Sequence, residues 1–92
     1  MSDIARKHIS FYGDVQGVGF RFRARHAAEN FGATGWVKNE YDGSVSMEIQ
    51  GTQEQIDKVI MTIERGTFIH IVNIEQEIVP VEQGEHYFIT KE

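Results

Sequence analysis

Three glycines fall within seven residues in Gly13-Asp14-Val15-Gln16-Gly17-Val18-Gly19, and Phe20-Arg21 follow directly. Glycine permits positive φ and close approach of the main chain to another group. If a helix begins where this loop ends, its first N–H groups have no partner inside it and point at whatever fills the loop. Free N–H groups, the positive end of the helix dipole and the Arg21 guanidinium are then a matched set for a phosphate-sized anion. Residues 19–39 hold Arg21, Arg23, Arg25 and Lys38 against Glu29 alone, a local charge of +3. On composition alone the segment fits a plain tight turn as well, and Arg21 fits a surface arginine. Asn39, just before Glu40-Tyr41-Asp42, reads equally as a strand-end residue that helps a turn.

Two common nucleotide signatures are absent. Counting from Gly17, the sixth position of G-x-G-x-x-G is Phe22, and no Gly-Lys-Ser/Thr occurs anywhere. A nucleotide-dependent kinase or dehydrogenase is therefore disfavoured, and a small anion cradled end-on is the expectation. His8, His26, His70 and His86 lack the spacing and neighbouring carboxylates of a metal site, so no metal and no cofactor is expected. Trp36 and the phenylalanines read as core or rim packing; Tyr12, Trp36 and Tyr41 stand near enough to the loop to contact part of a ligand, and none is assigned a role.

The elements that must position this loop follow from periodicity. Lys7 to Tyr12 alternates, with Ile9 and Phe11 on one face, which predicts a half-buried strand. Phe20, Ala24, Ala27, Ala28 and Phe31 form one stripe of a helix that ends near Gly32. Thr34 to Glu40 reads as a strand, Asp42-Gly43 as a two-residue type I′ hairpin, and Val45, Met47 and Ile49 as the returning strand. Thr52 and Gln55 fit a capping box for a second helix, which buries Ile56, Val59, Ile60 and Ile63 and stops at Gly66 as a C′ residue. Phe68 to Val79 is rich in β-branched residues, and His86 to Thr90 reads as a short final strand. This order, βαββαβ plus a short C-terminal strand, predicts an α+β ferredoxin-like split βαβ fold. Two helices then cover one face of a mostly antiparallel sheet. Many unrelated activities share that fold.

Ninety-two residues predict one domain, 1–92, held by packing, because zero cysteines exclude a disulfide framework, a thiolate metal site and a cysteine nucleophile. Nine Lys/Arg against 14 Asp/Glu give −5, which argues against wholesale binding to nucleic acid, and the basic surface and exposed aromatics of an RNA-reading sheet are missing. The charge is uneven: residues 1–46 carry six Lys/Arg and five Asp/Glu, whereas 47–92 carry three and nine. An anion site belongs in the first half, and the acidic second half reads as a solvated face. Met1 to Lys7 lacks the apolar core of a signal peptide, and no apolar run approaches the roughly 20 residues that span a bilayer. A cytoplasmic monomer with no membrane partner is expected.

Gly13-Asp14-Val15-Gln16-Gly17-Val18-Gly19-Phe20-Arg21 resembles the G-x-V-Q-G-V-x-F-R loop of the acylphosphatases. Gly35-Trp36-Val37-Lys38-Asn39, with Asp42-Gly43-Ser44-Val45, resembles that family's second signature. The resemblance covers residues 7–63 well and the remainder loosely, since the stretch after Gly66 lacks the proline-containing segment of many relatives. Asp14 stands at a variable loop position that is often basic or neutral, and is expected to point outward.

The resemblance implies hydrolysis of an acyl phosphate to a carboxylate and orthophosphate. It implies that Arg21 and the main-chain amides of Gln16, Gly17, Val18, Gly19, Phe20 and Arg21 bind the phosphate, and that Asn39 positions the attacking water. The partner is a small-molecule acyl phosphate. A leaving carboxylate has a conjugate acid of pKa about 4 and departs without a proton donor, so few functional groups are needed. The competing reading is a binding module that holds a small anion, or pairs with a protein, without turnover.

Overall fold

The computed structural model describes residues 3–92. In chain order the elements are β1 (Ala5–Asp14), α1 (Phe20–Phe31), β2 (Thr34–Asn39), β3 (Val45–Gly51), α2 (Gln53–Glu64), β4 (His70–Val79) and β5 (Phe88–Lys91). The five strands form one sheet in the order β4-β1-β3-β2-β5. All neighbours are antiparallel except β2 and β5, which run parallel. With two helices on one face, this is the ferredoxin-like arrangement expected from the element order. Among the described residues no helix is long and apolar enough to cross a membrane.

The core lies between the helices and the sheet. The alternation in β1 sends Ile9 and Phe11 into it, opposite Met47 and Val45 of β3, and all four are fully buried. Phe20, Ala24, Ala27 and Ala28 form the buried stripe of α1, and Ile56, Val59 and Ile63 that of α2. Small alanines along α1 let it approach the sheet and α2 closely. Gly35 does the same on the sheet: at φ +138° it lies against β3, where an added Cβ would sit 1.9 Å from the Glu48 carbonyl oxygen.

The capping box of α2 forms as the sequence predicts. Gln55 N–H donates to Thr52 Oγ1 at 3.1 Å, and Thr52 N–H donates to Gln55 Oε1 at 2.8 Å. Two local expectations are corrected. Asp42-Gly43 is not a type I′ pair, because of the two only Gly43 takes a positive φ (94°), and among the described residues no non-glycine does. The chain instead turns through Tyr41-Asp42-Gly43, with Glu40 N–H donating to Ser44 O at 2.8 Å and Gly43 N–H to Glu40 O at 3.2 Å. The Asp42 carboxylate decides this: Oδ1 accepts from Ser44 N–H at 2.9 Å and Ser44 Oγ–H at 2.6 Å, which lowers its pKa and holds Asp42 on the ordinary side of φ. At the end of α2, Gly66 does not adopt the left-handed C′ conformation, and Arg65 caps the helix in right-handed geometry. Gly66 packs closely on side chains, and a Cβ there would lie 2.7 Å from Ile69 Cδ1, which would have to shift.

β4 and β5 lie at opposite edges of the sheet, so the segment joining them must cross the sheet without disturbing the helix layer. It is held by Arg6 of β1, whose side chain is only 1% exposed. Arg6 Nε pairs with Glu48 at 2.9 Å, Nη1 with Glu85 at 2.8 Å and Nη2 with Glu82 at 2.9 Å. Gln50 and Glu82 exchange two further hydrogen bonds, at 2.8 and 3.0 Å. Part of the acidic surplus of the second half is therefore structural counter-charge and not a uniformly solvated face. His8 Nδ1 lies 2.8 Å from the other oxygen of Glu48.

Burial pushes the Glu48 carboxyl up, but hydrogen bonds from His8 and Arg6 outweigh it and the net pKa is lowered. A depressed carboxyl contributes stability that is complete above its unfolded pKa of about 4.3 and is lost as pH falls through the folded value. The melting temperature of the wild type should therefore fall more steeply than that of Glu48→Gln below about pH 4.5. Thermal denaturation across that range checks this, and parallel curves would remove Glu48 from the acid response.

Candidate anion site

Both ends of the glycine loop are nailed to the core. Val15 is 1% and Phe20 2% exposed, and the Phe20 ring packs on Phe11 with centroids 4.9 Å apart. Between these anchors the chain must turn outward within four residues. Gly17 (φ 73°) and Gly19 (φ 80°, ψ 16°) provide the left-handed geometry, with Gly19 as N-cap of α1. No side chain caps this helix and no acidic residue stands in its first turn. Arg23 N–H donates to Gly19 O at 3.0 Å, but among the described residues the N–H groups from Gln16 to Phe22 have no acceptor. Beside this stretch lies a hollow of about 200 Å³, which Gln16 and Val18 do not line.

Gly17, Gly19, Phe20 and Arg21 of the predicted set line that hollow, and Asn39 lines it from the sheet side. Asn39 is the last residue of β2, opposite Val45 of β3, and its side-chain amide makes no hydrogen bond among the described residues. No carboxylate among the described residues pairs with Arg21. Its Nη1 donates to the main-chain carbonyl of Lys91 at 3.0 Å, so the end of β5 steadies the guanidinium without neutralising it. Asp14, at the end of β1, is exposed and does not line the hollow.

Gln16 and Val18 are placed differently from their neighbours. The Gln16 side chain turns to the β2–β3 connection, where Nε2 donates to Glu40 O at 2.7 Å and Ser44 O at 2.9 Å. This ties the loop to the turn that follows Asn39. Val18 packs against the core cluster. Of the four cations expected to favour an anion, only Arg21 reaches the hollow. Arg23 is tied to Thr62 O through Nε at 2.7 Å, Arg25 is exposed on the helix, and Lys38 lies along β2.

Sequence reasoning missed two positioning contacts. Gln16 belonged to the quoted motif but was read only for its amide. The Lys91 carbonyl had no local signal, because it reaches Arg21 only through the pairing of β5 with β2. Among the described residues no three His, Cys, Asp or Glu side chains gather where one metal ion could be held.

An uncapped helix start, an arginine without a carboxylate partner among the described residues and a facing carboxamide, set on a ferredoxin-like sheet, form an arrangement chemically suited to a small oxyanion. The family model for acylphosphatase matches residues 7–90, and the chain belongs to that family. It is 42% identical over 84 residues to an acylphosphatase of Geobacillus kaustophilus, covering 90% of this chain and 89% of that one. The acylphosphatase of Bacillus subtilis, whose crystal structure is known, superposes with a TM-score of 0.87 at 27% identity, over 98% of this chain and 100% of that chain. The full-length HypF protein in its phosphate- and nucleotide-bound form superposes with a TM-score of 0.88 at 26% identity, over all of this chain but 12% of that one.

Replacing Gln16 with Ala should remove about 1–2 kcal/mol of stability, through two lost hydrogen bonds to main-chain carbonyls. It should also weaken orthophosphate binding, read by titration calorimetry. Unchanged affinity would mean that the loop keeps its shape without this tie.

Proposed function

We propose that the protein hydrolyses a small-molecule acyl phosphate to a carboxylate and orthophosphate by direct attack of water on phosphorus. Family membership supports an acylphosphatase, a hydrolase of carboxyl-phosphate anhydrides. The observation that carries the finer reading is the convergence on one hollow of unpaired loop amides, the unneutralised Arg21 and the free carboxamide of Asn39.

Phosphoryl transfer needs chiefly positioning and stabilisation of charge on the equatorial oxygens. The amides of Gln16 to Arg21 and the Arg21 guanidinium are suited to that task, since their dipoles and charge are oriented before substrate arrives. Asn39 Oδ1 accepts a hydrogen bond from water and holds it opposite the P–O bond that breaks. Asparagine cannot serve as a base at neutral pH, so the water proton passes to a phosphate oxygen of the substrate. The acyl oxygen leaves with the bonding pair as a carboxylate and requires no acid.

Arg21→Ala should lower kcat/KM by about 10²–10³-fold or more, a barrier increase on the order of 3–4 kcal/mol, and weaken orthophosphate binding. Asn39→Ala should lower kcat by a similar factor with little change in orthophosphate affinity, because it acts on water. Turnover of acetyl phosphate, calorimetric titration with orthophosphate and circular dichroism on each variant measure this. Binding of phosphate by the wild type with no turnover would favour a binding module instead. A phosphoprotein trapped by acid quench would overturn direct attack by water.

A further inference from the structure

Arg21 is steadied by a residue that is itself lightly held. Its Nη1 donates to the carbonyl of Lys91, the last residue of β5. β5 is four residues long, lies at the sheet edge and pairs only with β2. Its first residue, Phe88, is buried, but Ile89, Thr90 and Lys91 are exposed. The ties that guide the chain into this strand stop short of its end: Arg6 holds Glu82 and Glu85, and Gly35 N–H donates to Tyr87 O at 3.0 Å. A strand end with few buried side chains opens at low cost. Opening here would carry the Lys91 carbonyl away from Arg21.

One side-chain contact fastens that end. Lys91 Nζ lies 4.4 Å from the centroid of the Trp36 ring. Trp36 stands on β2 opposite Glu48 of β3 and Ile89 of β5, and its neighbour Val37 is buried in the core, so the indole lies on the face of the sheet away from the helices. Lys91 is two residues beyond Ile89 and shares that face. A cation over an aromatic ring is attracted by the ring quadrupole, and indole is the strongest of the rings in this respect. Among the described residues no carboxylate pairs with Lys91, so the ring has no rival for the ammonium. The indole is braced in turn from β1: the His8 ring meets it at 68° with centroids 5.8 Å apart, and Glu48 holds His8 at 2.8 Å.

Lys91 therefore joins two contacts, its ammonium on Trp36 and its carbonyl on Arg21. Fixing the first limits how far the second can move. We propose that Trp36 is a positioning residue for the reaction, acting through Lys91 to hold the Arg21 guanidinium beside the anion hollow. Trp36 does not itself line that hollow. The inference rests on the phosphate-binding role of Arg21 proposed above.

The test is orthophosphate affinity by calorimetry, with kcat and KM for acetyl phosphate, in variants checked for fold by circular dichroism. Trp36→Leu should weaken orthophosphate binding about two- to fivefold, the scale of an exposed cation–π contact, and Trp36→Phe, which keeps a ring face, should lie between it and wild type. Lys91→Arg, which keeps a cation over the ring, should retain more affinity than Lys91→Met. Adding Trp36→Leu to Lys91→Met should cost nothing further, because the contact is already gone, and adding it to Arg21→Ala should likewise leave phosphate affinity where Arg21→Ala put it. Lys91 is exposed, so its variants decide the matter if Trp36→Leu does not fold. Wild-type affinity in Trp36→Leu overturns the proposal, and so do additive losses in either pair. A fall in kcat with unchanged phosphate affinity also overturns it, by assigning the effect to Asn39 at the end of the same strand. Failure of the underlying reading has a different signature: Arg21→Ala alone would bind orthophosphate and turn over acetyl phosphate normally, and the proposal would fall with it.

Discussion

The loop from Val15 to Phe20 is fixed at both ends by buried side chains and therefore cannot satisfy its own amides. Val15 and Phe20 are buried in the core, and among the described residues the N–H groups between them have no acceptor. In most helix starts a Ser, Thr, Asp or Asn side chain would accept from these groups. Here the N-cap is Gly19, which offers no acceptor, and the first turn has no carboxylate to compete. An anion is the natural complement of such a structure, because it meets several donors and the positive end of the dipole at once.

Holding that loop against the rest of the sheet is a matter of long-range contacts. Gln16 bridges to the carbonyls of Glu40 and Ser44, which fixes the loop relative to the strand end carrying Asn39. The Asp42 turn sets the position of Ser44, and Gly35 lets β2 lie close on β3. On the other side, Arg6 gathers Glu48, Glu82 and Glu85 and so guides the chain from β4 across to β5. The end of β5 then presents the Lys91 carbonyl to Arg21. A neutral carbonyl steadies the guanidinium and leaves its charge for a ligand, whereas a carboxylate there would have cancelled it.

The chemistry proposed for this family member asks little of its side chains. A carboxylate is a good leaving group, and orthophosphate carries its own proton acceptors, so neither an acid nor a base need be built. What remains is geometry: donors for three oxygens and a holder for one water. In the proposed reading these tasks fall to backbone amides and to a neutral or permanently charged side chain. The anion hollow itself contains no carboxyl, histidine or thiol side chain whose titration would disturb it.

Much of this was legible in the sequence because it is local. Period-two alternation in β1 and β3, the stripes of both helices, the Thr52–Gln55 box and the glycine loop are each encoded within a dozen residues, and each forms. The two motifs named Arg21 and Asn39 together by resemblance, and the structure brings both to one hollow. The type I′ reading of Asp42-Gly43 failed because the Asp42 carboxylate found Ser44, a side-chain choice that composition does not reveal. Gly66 does stand at C′, directly after the C-cap Arg65, but without the left-handed conformation that glycine usually supplies there. The burial of Arg6, the tie from Gln16 to the turn and the Lys91 contact depend on strands and loops distant in sequence. Amino-acid order determined which segments are helix or strand and where free amides lie, since those follow from nearest neighbours. Only the packed sheet decided which side chains share a site, since contacts across many residues are set by strand order and by what else must be buried.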